Sequence, residues 1–216
     1  MKKILLLTIG ILLNLVSFAE ISKDSTKIIH SKKNILHGGT YILLGLGTSS
    51  GVISGAQNGE LRYGYQYNIE VGNQWLFIKK ENWGLGMNVS WFTFGQSTYK
   101  SIVNDRTTKC LDLSLLRLGP LMSSKLNNNA AVDLYVNIAP SIKFTDYTET
   151  NFDRYEFGGM LGILGLKFRY KKYAFGIETQ NANYVGRYKP RYDSPSPYNT
   201  CDLKMFNIRF VLGVKL

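Results

Sequence analysis

The stretch Phe206-Asn207-Ile208-Arg209-Phe210-Val211-Leu212-Gly213-Val214-Lys215-Leu216 carries an apolar side chain at every second position up to the last residue. Such alternation gives a β-strand one apolar and one mixed face. Two further stretches repeat it. Leu61, Tyr63, Tyr65, Tyr67, Ile69, Val71, Trp75 and Phe77 alternate with Arg62, Gly64, Gln66, Asn68, Glu70, Gly72 and Gln74. Val132, Leu134, Val136, Ile138, Ile142 and Phe144 alternate with Asp133, Tyr135, Asn137, Ala139, Ser141 and Lys143.

Working outward, strand-like stretches are expected at 40–48, 61–77, 83–96, 110–123, 130–145, 155–170, 173–186 and 203–216. The third reads Trp83, Leu85, Met87, Val89 and Trp91 on one face. The fourth changes parity near Leu115-Leu116, which predicts a bulge. The sixth is ambiguous around Gly158 to Gly162. Joins alternate short and long, with short ones at 78–82, 124–129 and 171–172. That rhythm suits an all-β, eight-stranded antiparallel up-and-down barrel with both termini at the short-turn end. Pro120 and Pro140 fall inside strands and cost ladder bonds there.

Residues 1–19 read as a secretory signal: Lys2-Lys3, an apolar run from Ile4 to Val16, then Ser17-Phe18-Ala19. Residues 20–37 read as a flexible periplasmic leader and 38–216 as the barrel domain. The chain holds 26 basic and 15 acidic residues, net +11; without Lys2 and Lys3 the balance is 24 to 15, net +9. Export and the scatter of these charges argue against nucleic acid as partner. Anionic lipid headgroups and lipopolysaccharide phosphates are the expected counter-charges.

Alternation alone does not say which face points outward; a soluble lipocalin-like barrel would turn the apolar face in. The mixed face is rich in small residues such as Gly64, Gly72, Gly84, Gly86 and Ser90, which suits a narrow lumen. Aromatics gather in two groups on the apolar face. Trp75, Phe77, Trp83, Tyr170 and Tyr173 belong to the short-turn end. Tyr63, Tyr65 and Trp91 belong to the long-loop end. Two girdles match two membrane interfaces.

On signal, alternation, loop rhythm and terminal strand, the chain resembles the small outer-membrane barrels of the OmpX and OmpA transmembrane-domain kind. The resemblance implies a transmembrane barrel in the cell outer membrane, inserted from the periplasm by the barrel-assembly machinery through the C-terminal strand. It implies a lumen filled by side chains. The chain departs from that pattern by ending in Leu216 instead of an aromatic residue.

Candidate site residues follow from the inner face. Glu70, Arg117, Glu178 and Arg209 should share mid-height as a lumen charge cluster, because lone charges are costly in so narrow a space. Asp133, Lys167, Arg169 and Lys215 belong toward the short turns; Asp112, Lys143 and Glu156 belong toward the loops. Cys110 heads the fourth strand and Cys201 closes the last long loop; an oxidising exterior permits a disulfide between them without requiring it. His30 and His37 both precede the first strand, so no histidine base or histidine-containing metal site forms on the barrel. The expected role is structural or surface-interacting and non-enzymatic, without cofactor or metal, with an external ligand on the long loops left open. A porin-like narrow pore for ions or small solutes is the alternative, and a soluble lipocalin-like binding barrel the second.

Overall fold

A computed structural model describes residues 35–55, 59–101, 107–145, 154–189 and 199–216. The expected signal, 1–19, and most of the expected leader lie outside them. Eight antiparallel strands close in chain order: β1 (Gly39–Gly55), β2 (Gly59–Lys79), β3 (Trp83–Ser101), β4 (Thr107–Asn127), β5 (Ala130–Thr145), β6 (Arg154–Tyr170), β7 (Tyr173–Lys189) and β8 (Asn199–Lys215). β8 returns onto β1 from Tyr41↔Lys215 to Gly55↔Cys201, so the sheet has no free edge.

The alternating apolar residues point out. Phe210 is 63% exposed and Leu212 56%, whereas Arg209 between them is 1% exposed. The same holds around the ring, from Leu44 and Leu46 through Leu134, Val136 and Ile138 to Leu164 and Leu166. This overturns the lipocalin-like alternative, whose apolar face would line the interior.

Strand limits at the short-turn end fall near the sequence expectation, except that β4 continues to Asn127; at the long-loop end most run further. β1 continues to Gly55 and β8 begins at Asn199. Outward residues there turn polar, as with Ser50, Thr98, Lys100 and Lys204, so the apolar period stops while the ladder continues. The first join, expected to be long, is short for the same reason, because β1 and β2 pair up to Ile53↔Gly59.

Two bulges face each other across β3 and β4. The β2–β3 ladder steps from Val71↔Phe92 to Gly72↔Ser90, leaving Trp91 as the extra residue. The β4–β5 ladder shifts between Ser114↔Ser141 and Leu118↔Ile138, and Leu116 takes a φ of 46°. Trp91, Phe92, Leu115 and Leu116 therefore all point outward. Val89 lies on the outer face as expected, between the inward Asn88 and Ser90 and opposite Leu118, but is covered there. Pro140 lies opposite the β4 bulge, and Pro120 lies between the pairs Leu118↔Ile138 and Leu121↔Tyr135. Pro140 thus sits where that ladder is interrupted, so its missing N–H costs little, whereas β4 keeps its register across Pro120.

β6 resolves its ambiguity by turning Phe157, Leu161 and Ile163 inward. Glu156, expected in the lumen, consequently lies on the outer face opposite Arg187 of β7. At the end of the expected leader, Ile35 and Leu36 are buried instead of flexible.

Candidate functional site

The lumen is built in layers. At the short-turn end Ile35 and Leu36 pack with Leu76, Leu121, Ala131 and Tyr135 as an apolar cork. Arg169 Nη1 donates to the Ile35 carbonyl at 2.9 Å, which ties the cork to the wall.

Above it, Asp133 accepts from Arg169 Nε at 2.7 Å and Nη2 at 2.9 Å, from Gln74 Nε2 at 3.2 Å and from the Ser123 hydroxyl. Lys167 Nζ stands 4.0 Å from Asp133 and faces the rings of Tyr41 (4.8 Å) and Tyr135 (5.1 Å). Two aromatic faces partly replace the water that a buried ammonium has lost.

At mid-height the structure brings Glu70, Arg117, Glu178 and Arg209 together. Arg117 Nη1 donates to Glu70 at 2.6 Å and Nη2 to Glu178 at 2.6 Å. Arg209 Nη2 donates to Glu70 at 3.1 Å, and its Nε to Glu178. Two cations alternate with two anions in a closed ring, and all four are fully buried. Tyr135 donates to Glu178. The Tyr41 hydroxyl lies 3.3 Å from Glu70 Oε1 and 3.1 Å from Asn88 Oδ1. The Asn137 amide, oriented by its neighbours, turns its oxygen to Arg117 Nε at 3.0 Å.

The backbone explains why the four meet. Glu178 and Arg209 are direct cross-strand partners on β7 and β8. Arg209 must then cross β1 to reach Glu70 on β2. Gly45 clears its path: a Cβ there would lie 3.2 Å from Arg209 Cδ and 2.0 Å from Asn68 Oδ1. Arg117 arrives from the far side through the β4 bulge. Cys110 and Ser114 point inward before Leu116; Arg117, Gly119 and Leu121 do so after it. An uninterrupted β4 would turn Arg117 out of the lumen, so the bulge re-aims it.

Toward the loops Lys143 pairs with Asp112 and donates to the Ser97 hydroxyl at 2.8 Å. An apolar layer follows, including Tyr99, Phe157, Tyr184, Leu203 and Met205. Cys110 and Cys201 are both buried in it as thiols. Cys201 does not close a loop as expected: it is a β8 residue, paired to Gly55 and Gly186, while Cys110 is on β4 opposite Thr145. Their strands stand four apart in the ring. A cavity of about 20 Å³ between ring and outer layer, lined by Gln66, Asn68, Arg117 and Lys143 among others, has the size of one water molecule and is no conduit.

The expected aromatic positions divide. Trp75, Phe77, Trp83, Tyr170 and Tyr173 are exposed at or near the short turns. Tyr65 is exposed toward the loops; the Tyr63 side chain lies outside the described residues. Trp91, expected with the loop-side group, instead packs edge-on to Trp75 with ring centroids 6.0 Å apart. Residues not anticipated from sequence are Tyr41 beside Glu70 and the Ile35-Leu36 cork. An apolar pair just before Gly38-Gly39 in a polar segment was the available signal for the cork.

No protein-family model matches the chain, and no curated protein sequence matches it. Solved structures of similar fold include the outer membrane protein OprG from Pseudomonas aeruginosa, at 12% identity over 82% of this chain and 97% of that one, TM-score 0.45. Neisserial surface protein A is 10% identical over 83% of this chain and 99% of that one, TM-score 0.42. The outer membrane protease OmpT from Escherichia coli is 10% identical over 86% of this chain and all of that one, TM-score 0.44. This chain is similar to them in being a small closed antiparallel barrel.

Proposed function

We propose that the protein is an outer-membrane barrel with a structural or surface-interaction role and a closed lumen. One observation carries this reading: an apolar exterior encircles the strands while the charges are paired inside. In water that arrangement leaves a large apolar area solvated at about 25 cal/mol per Å². In a bilayer the same area is matched to lipid, and each strand exceeds the roughly 10 residues a tilted crossing needs. The leading segment acts as an export signal, and assembly machinery engages the C-terminal strand. Lipopolysaccharide meets the loop end, which is also where an external ligand would bind.

Catalysis by a histidine base is disfavoured because His30 and His37 precede β1. The narrow-pore alternative is disfavoured by three successive closures: cork, charge ring and outer apolar layer. Planar-bilayer recording of the purified protein tests this, with no steady conductance expected; sizeable, sustained current would instead establish a pore.

A further inference from the structure

The positive charge of this barrel is concentrated at its short-turn end. By sequence, the long-loop end carries nine basic and eight acidic side chains. The short-turn end carries six basic residues, Lys79, Lys80, Lys125, Lys171, Lys172 and Lys215, against the single acid Glu81. Paired lumen charges nearly cancel, so most of the barrel's net charge belongs to this rim.

Backbone hydrogen bonds hold the rim rigid. Lys125 N donates to Asn82 O at 2.7 Å, Lys171 N to Asn129 O at 2.7 Å and Lys215 N to Lys172 O at 2.7 Å. Each short turn is thereby fastened to its neighbour. Lys171 adopts a φ of 54° in a two-residue hairpin, a conformation suited to Gly or Asn. A lysine held there at a conformational cost is a reason to ask what its charge does. Directly beyond lie the exposed rings of Trp75, Phe77, Trp83, Tyr170 and Tyr173. An open groove of about 420 Å³ joins the two zones, lined by His37, Gly38, Gly39, Trp75, Phe77 and Lys79 among others. Burial, then the nearby Lys79 and Lys215 charges, lower the His37 pKa, which fits a locally positive rim.

We propose that the short-turn rim is a binding surface for anionic glycerophospholipid headgroups of the adjacent leaflet. The aromatic rings fix the depth of the interface, which puts the lysines at the level of the phosphates. In the groove an acyl chain lies against Trp75 and Phe77 while the phosphate meets Lys79 and the Gly38-Gly39 backbone. This rests on the membrane reading above.

The test uses the mature barrel inserted into vesicles of equal phosphatidylglycerol and phosphatidylcholine, then extracted, with retained lipid quantified by mass spectrometry. Lysines near a membrane surface contribute enough that about fivefold enrichment of phosphatidylglycerol is expected, falling in high salt. The variant K79Q/K80Q/K125Q/K171Q/K172Q should retain both lipids equally, and the matching Lys→Arg variant should restore the preference. Heat-modifiable mobility scores insertion separately. Insertion with no lipid preference overturns the rim proposal and leaves the barrel reading intact; failure of the wild type to insert overturns both. Enrichment abolished by millimolar glycerol 3-phosphate overturns the assignment to lipid in favour of a free phosphate ester. Unchanged preference in the Gln variant overturns the role of the lysines.

Discussion

Arg117 and Arg209 each touch both Glu70 and Glu178, so removing any one member leaves two neighbours short of a partner in a space without bulk water. Breaking a buried pair typically costs about 3–5 kcal/mol, while removing both partners costs much less than the sum. Arg209→Ala is expected to destabilise the folded barrel by that amount. Arg209→Ala with Glu70→Ala should fall well below additivity in urea-unfolding titrations. Strict additivity would mean the two are not coupled. The wall opposite the ring supplies a second prediction. Tyr135 reaches Glu178 by lying across Gly165, where a Cβ would sit 2.2 Å from the ring carbon Cζ. Gly165→Ala should therefore cost about 1–3 kcal/mol by the same titration, as overpacking does. Much of this was legible in sequence: alternation in β2, β7 and β8 puts Glu70, Glu178 and Arg209 on one face. Arg117 needed the parity break at Leu115-Leu116 to be read correctly. The hydroxyl of Tyr41 was not legible, because its partners come from β2 and β3 and only the register of the β1–β2 and β2–β3 pairings puts them at its height.

Among the elements, β4 decides whether the lumen can form. Deleting Leu116 removes the extra residue and turns either Arg117, Gly119 and Leu121 or Cys110, Asp112 and Ser114 toward lipid. No heat-modifiable folded band should then appear on electrophoresis. Leu116→Gly keeps the residue count and relaxes the positive φ, so it should fold with equal or greater stability. If deletion is tolerated, the bulge does not set the phase of β4. The N-terminal cork is a separate element: Leu36 is 0% exposed, and Leu36→Ala should cost about 2–5 kcal/mol, measured by the same unfolding assay. Apolar periodicity located the strands well at the short-turn end and poorly at the other. It reports the apolar belt, and β1, β3 and β8 continue beyond that belt with polar outward residues. The bulge at Trp91 was missed for a related reason: β3 pairs with a bulged partner and takes a matching bulge, which its own residues do not announce.

At the scale of the whole molecule, the central claim is that the exterior faces lipid and the interior is closed. The three tryptophans are well placed to test the first half, since all point outward from different positions along β2 and β3. Trp83 opens β3, Trp75 lies four residues before the end of β2, and Trp91 sits in the mid-strand bulge. The most direct measurement is quenching of single-tryptophan variants, the other two replaced by Phe, in vesicles whose acyl chains are brominated at graded depths. All three should be quenched. Trp91 should respond most to deep bromines and Trp83 to shallow ones. Absence of quenching at all three positions, or protein that remains in the aqueous phase, would contradict the account.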